Sequence, residues 1–194
     1  METVQIVYNL KNVKSFIGLF PSDLLPHSIT QSGTVIINAD PHTEKGLHWL
    51  AIHLQRRSYS ANYFDSYGIA PFIPNIIAFL RRTCTVWKFN TIQLQGLTSA
   101  VCCKYCCLFA HYMDRGYTPK QFVGLFNPDI ADRQINQLFA SEFGPLPRGP
   151  RGGQCSSNIY KRYVTIRKLI ILNLYIDPNG GSHRLRFSEG TIMT

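Results

Sequence analysis

Between Ser99 and Met113 the chain runs for fifteen residues without a glycine or proline, and most of those residues are apolar or carry a thiol. A helix that is apolar on nearly every face is stable only when other elements cover it. The segment therefore predicts a helix buried on most sides, with Thr98 or Ser99 as its candidate N-cap. Four of the six cysteines fall inside it, at positions 102, 103, 106 and 107. Vicinal thiols are poor partners for structural disulfides, and Cys84 and Cys155 stand apart, so the spacing is not that of a stapled secreted domain. Reduced thiols and an intracellular setting, cytoplasm or nucleus, are the expectation. The N-terminus lacks the basic start and apolar core of a signal peptide. No apolar run approaches the roughly 20 residues that span a bilayer.

The segments before this helix read mainly as strands. Gly33–Asn38 is β-branched and apolar, and Leu47–Leu54 and Tyr59–Asp65 form a pair separated by a short turn. Asp40–Gly46 is a polar loop, Leu10–Gly18 reads as loop or short helix, and Val86–Gln93 reads as a fourth strand. Pro74–Arg82 has helical spacing with proline at an acceptable first-turn position. Thr118–Phe126 and Ile130–Phe139 predict two further short helices. The composition then breaks at Gly144–Gly153, which is rich in Gly, Pro and Arg. The expected organisation is a domain over 1–143, a linker over 144–158 and a basic extension over 159–194, with strands near 159–176.

Four residues in chain order make up the chemical set of a cysteine hydrolase: His48, Asp65, Gln95 and Cys102. A thiol attacks an amide as its thiolate, which a nearby imidazole and a helix N-terminus both favour. In this reading His48 is the general base, Asp65 accepts from its second ring nitrogen, and Gln95 donates to the oxyanion together with the Cys102 backbone N–H. Hairpin pairing is expected to bring His48 and Asp65 together. Taken one at a time, each residue has a plainer reading: His48 as a core histidine, Asp65 as a turn residue, the cysteines as small buried hydrophobes. The chemistry calls for no cofactor and no metal. Two other uses of the cysteines have less support. A Cys103-Lys-Tyr-Cys106 redox motif lacks the βαβ context it needs, and four thiols within six helical residues point around the helix instead of at one ion.

The order and spacing of Phe16-Ile-Gly18, Pro26-His27, Val35–Asn38, Gly46-Leu-His48-Trp49, Phe64-Asp65-Ser-Tyr-Gly68 and Gln95–Cys102 resemble the adenovirus-type (adenain-like) cysteine proteases. These are distant relatives of the SUMO and ubiquitin-like-protein proteases. The resemblance is strong over Phe16–Met113, weak over 114–143 and absent from the tail. It implies an α+β fold, papain-like or adenain-like, in which a central mixed sheet is flanked by helices and the nucleophile opens a helix. It also implies His48 as base, Asp65 as its orienter, Gln95 for the oxyanion, Cys102 as nucleophile and Trp49 as a wall of the active site. A role in maturing capsid precursors of a virus or virus-derived DNA transposon follows from the same likeness. One departure stands out: the family has glycine after the nucleophile, whereas this chain has Cys103, which places a Cβ and a second thiol there.

The partner expected from this reading is a protein substrate, with no membrane. The charge leaves nucleic acid open as a second partner. Of the formal +9, residues 147–194 hold eight Lys/Arg against two Asp/Glu, so the tail carries most of the basic excess. The alternative is a decayed, non-catalytic relative of these enzymes that binds nucleic acid or protein.

Overall fold

The structure, a computed structural model, describes residues 3–144 and 190–193. The expected linker and the strands near 159–176 lie outside the described residues. The framework is a mixed six-stranded sheet whose strands lie side by side in chain order. They are β1 (Phe16–Pro21), β2 (Gly33–Asn38), β3 (Trp49–Gln55), β4 (Ser60–Phe64), β5 (Val86–Phe89) and β6 (Gly190–Met193). β1/β2 and β4/β5 are parallel, and the other neighbours are antiparallel.

The period-two geometry of a strand sends alternate side chains to opposite faces. Both faces are covered here, which is why β2 and β3 are apolar almost continuously and do not alternate with polar residues. Val35, Ile37, Leu50, Ile52, Leu54, Ala61 and Tyr63 form one core with Ile76, Phe79 and Leu80 of α2 (Pro74–Thr83). Ile36, Ala51 and Phe64 belong to the other, with α1 (Thr3–Leu10), α3 (Cys102–Asp114), α4 (Pro119–Val123) and α5 (Ala131–Phe143). At about 1.5–3 kcal/mol for each large apolar side chain fully buried, these two layers dominate the stability of the domain. The fold is α+β, with a mixed sheet flanked by helices.

The central helix is covered as its composition predicts: ten of its residues, from Cys102 to Met113, are buried. It begins three residues later than Ser99, however, and its N-cap is Val101, which makes no side-chain cap bond. The segment before it is occupied otherwise. Ser99 N–H donates to the Gly96 carbonyl at 3.1 Å, closing a turn where a capped helical start was expected.

Three other boundaries differ from expectation. Leu10–Gly18 is divided between α1 and β1; β1 is half-buried throughout and carries Gly18 and Pro21, so it shows no strand alternation. β5 stops at Phe89, four residues before the expected end, because Asn90 turns its side chain back to Asp65 and to the Ile92 carbonyl. Gly190–Met193 pairs with β5 as a strand that no sequence pattern signalled.

Candidate active site

His48 lies one residue before β3 and not within it. Its carbonyl accepts from Ala39 N–H at 2.9 Å, which carries the β2–β3 ladder one step further and fixes the backbone. Asp65 follows the last residue of β4, and the Ala51–Phe64 register brings both residues to the same end of the sheet. There His48 Nε2 and Asp65 Oδ1 are 2.9 Å apart, with side chains 1% and 0% exposed. The hairpin thus brings the imidazole and carboxylate together, as expected from the sequence.

Several contacts position this pair. Asp65 Oδ1 also accepts from Tyr67 N–H at 2.9 Å. Asn90 grips the Asp65 backbone from both sides, its Oδ1 accepting from Asp65 N–H at 2.9 Å and its Nδ2 donating to the carbonyl at 2.7 Å. The Tyr67 ring stacks on the imidazole with centroids 5.0 Å apart. Gly68 closes the turn at φ +66°, and a Cβ there would lie 2.7 Å from the Ile92 backbone. The second carboxylate oxygen, Asp65 Oδ2, is buried and has no hydrogen-bond partner among the described residues.

Cys102 is the first residue of α3 and is buried in the core between that helix and the sheet. The backbone N–H of Trp49, the residue after His48, reaches its sulfur and favours the thiolate. Its thiol is nevertheless held well above the usual range, chiefly by the hydrogen bond to the Cys103 thiol, then by burial and by the charges that Cys103 and Cys106 would carry. Cys103 moves the other way, to about 6, because the Cys102 thiol donates to it. The two vicinal thiols thus shift in opposite directions, as a hydrogen-bonded pair that titrates together. Cys103 is 2% exposed and belongs to the core, so the departure from glycine supplies a second thiol beside Cys102. Burial also holds Cys106 and Cys107 well above the ordinary thiol range, as fits core residues. Cys84, Cys102, Cys103, Cys106 and Cys107 are all free thiols. Among the described residues, no group of three or more His, Cys, Asp or Glu is arranged to hold a metal ion.

Gln95 is buried at the start of the loop leading into α3. Its Oε1 accepts from Ser66 Oγ–H at 2.7 Å, and its Nε2 donates to the Ser99 carbonyl at 2.7 Å and to Tyr67 Oη at 3.2 Å. Because a carbonyl only accepts, the Ser99 contact fixes which end of the amide is nitrogen. Both amide hydrogens are thus engaged within the protein, and donation to a substrate oxyanion requires one of these contacts to be released. Trp49, expected as a wall of the site, is buried in the core on the α3 side of the sheet.

Over 158 aligned positions the sequence is 26% identical to a protease of Human adenovirus A serotype 12, covering 69% of this chain and 76% of the relative. The chain is similar to the adenovirus-type cysteine proteases. No family model matches the chain. Two crystal structures of the ASFV protease, one of them selenomethionyl, give TM-scores of 0.46 and 0.45 at 18% and 17% identity. They cover 61% and 60% of this chain, which itself spans 45% and 44% of theirs.

Sequence reasoning did not pick out Asn90, Tyr67 or Ser66 as site residues. Tyr67 and Ser66 lie inside the Asp65–Gly68 motif, so their proximity was visible although their contacts were not. Asn90 gave no signal, because its role depends on β5 lying parallel beside β4.

Proposed function

We propose that this protein is a cysteine endopeptidase of adenain-like type, with Cys102 as nucleophile, His48 as base, Asp65 as the group that orients His48, and Gln95 as an oxyanion donor. The observation that carries this reading is the buried His48–Asp65 hydrogen bond of 2.9 Å, with the N–H of the next residue, Trp49, meeting the Cys102 thiol that opens α3. With Nε2 committed to Asp65, His48 would take the thiol proton at Nδ1. The Cys102 thiolate would add to the scissile carbonyl, and His48 would return the proton to the leaving amine. Water, deprotonated by His48, would then hydrolyse the thioester and restore the thiol. The raised Cys102 pKa opposes thiolate formation, and a protonated His48 together with the α3 N-terminus would offset it. Its substrates, by likeness to the adenovirus enzyme, are capsid precursor proteins of a virus or virus-derived transposon.

The test is selective alkylation near pH 6, mapped by mass spectrometry, on the wild type and on His48→Ala, followed by cleavage of a peptide library. Fast labelling of Cys102 that is lost in the variant, together with cleavage, is expected. Labelling spread evenly over the cysteines and unchanged by His48→Ala would overturn the reading.

One observation favours a second reading, a non-catalytic binding module: both amide hydrogens of Gln95 are already engaged, by Tyr67 and Ser99. Salt-dependent DNA binding without peptide cleavage would decide for it, given the formal charge of +9.

A further inference from the structure

The loop that carries Gln95 is held mostly by residues already placed at the site. Leu94 and Gln95 N–H both donate to the Ser66 carbonyl at 2.9 Å, and Gln93 Nε2 donates to the Gln95 carbonyl at 3.0 Å. Tyr105 Oη–H donates to the Leu94 carbonyl at 3.3 Å from the core of α3. One contact comes from farther along the chain. Asp132, in the first turn of α5, accepts from Gly96 N–H through Oδ2 at 3.0 Å.

This carboxylate is closely fitted to its position. Its other oxygen, Oδ1, is buried and has no partner among the described residues. A buried carboxylate oxygen left unsatisfied costs free energy, offset here by the Gly96 N–H bond and by the acid's place in the first turn of α5. A Cβ on Gly96 would lie 2.6 Å from Oδ2, so only glycine admits the carboxylate this close to the backbone. Asn136 Nδ2 donates to the Asp132 carbonyl at 2.6 Å, and Lys104 Nζ of α3 donates to Asn136 Oδ1. Helices α3 and α5 are therefore tied at the same point. The neighbouring Tyr105 hydroxyl is pushed up by burial and then by the Asp132 charge, and stays protonated as a donor to Leu94.

We infer that Asp132 is a positioning residue for the oxyanion loop: by holding Gly96 N–H it fixes the backbone from which the Gln95 amide must meet the developing oxyanion. The inference rests on the peptidase reading above and extends it to a residue outside the His48–Asp65–Gln95–Cys102 set. Gln95 has to give up Tyr67 Oη or the Ser99 carbonyl to serve the oxyanion, and an anchored Gly96 lets the amide re-aim without carrying the loop away.

Acylation and alkylation of Cys102 separate this role from a merely structural one. Acylation by p-nitrophenyl acetate passes through a tetrahedral oxyanion, whereas alkylation by iodoacetamide does not. Both rates are to be measured by mass spectrometry on full-length wild type, Asp132→Ala, Asp132→Asn and Gly96→Ala. Asp132→Ala and Gly96→Ala are expected to slow acylation about 10- to 100-fold with alkylation unchanged, because small displacements of an oxyanion donor cost that much. Asp132→Asn, which keeps an acceptor for Gly96 N–H, is expected to recover most of the rate. Equal loss of both reactions in Gly96→Ala, or no loss of acylation in it, would overturn the inference, even if Asp132→Ala itself fails to fold. A wild-type Cys102 no more reactive than the other thiols in either reaction would instead sink the peptidase reading, and this inference with it.

Discussion

Cys102 and Cys103 lie side by side at the start of α3, with their thiols hydrogen-bonded to each other. The Cys102 thiol donates to Cys103, which lowers the Cys103 pKa and raises that of Cys102. Replacing Cys103 with glycine removes the competing acid and the like charge that oppose a Cys102 thiolate, so the Cys102 pKa should fall. Alkylation of Cys102 measured against pH is therefore expected to shift to lower pH in Cys103→Gly, with faster labelling between about pH 6 and 7. An unmoved profile would mean that the two sulfurs are independent. At Asp65 the expectation is loss: Asp65→Asn keeps the shape but presents His48 with a neutral partner. The rate of peptide cleavage is expected to drop by about 10²–10⁴-fold with little change in melting temperature.

At the scale of elements, the site is assembled where two strands end. β4 delivers Asp65, β5 delivers Asn90 one residue beyond its own last pair, and the two hydrogen bonds between them fix the carboxylate's backbone. Asn90→Ala is expected to lower the cleavage rate more than the melting temperature, since it frees the turn at Asp65–Gly68 and leaves the two cores intact. A melting loss with no change in rate would show that Asn90 serves only the fold. α4 offers a simpler case. Thr118 and Gln121 form a reciprocal capping box at its start, with Thr118 Oγ1 accepting from Gln121 N–H at 3.2 Å and Gln121 Oε1 accepting from Thr118 N–H at 2.9 Å. Thr118→Ala is expected to destabilise by about 0.5–2 kcal/mol, read by denaturant unfolding, with activity unaffected.

At the scale of the whole molecule, the end of α3 is tied to the entry of β1 by one carboxylate. Asp114 accepts from Ser15 N–H at 2.8 Å and from Lys14 N–H at 3.3 Å. Burial pushes its pKa up, but the hydrogen bonds from Ser15 and Lys14 outweigh it and hold the group below its ordinary 3.8. A carboxylate with a depressed folded pKa stabilises fully above its unfolded pKa, and the contribution disappears as pH falls through the folded value. The melting difference between wild type and Asp114→Ala should therefore be present at pH 6–7 and shrink below about pH 4. Among the described residues no helix is long and apolar enough to cross a membrane.

What could be read from the chain alone was whatever depends on local pattern or on a short, ordered motif. The apolar run at 99–113 determined a buried helix because no amphipathic alternative exists for it. The β-branched run at 33–38 and the apolar run at 47–54 determined strands, and the short turn between 47–54 and 59–65 was enough to bring His48 to Asp65. The order His48, Asp65, Gln95, Cys102 named candidate site residues, and the motif spacing named the likeness. Tertiary structure decided whatever depends on neighbours distant in sequence. Asn90 and Asp132 act through backbone groups of Asp65 and Gly96, and nothing local marks a residue whose partner lies 25 or 36 positions away. The start of α3 moved past Ser99 because the Gln95 amide claims the Ser99 carbonyl. The pairing of Gly190–Met193 with β5 likewise depends on a strand edge that only the assembled sheet presents. Local pattern determines which elements form, because backbone geometry repeats every few residues. Which polar groups meet is decided by packing, because each buried N–H and C=O must find a partner wherever the fold supplies one.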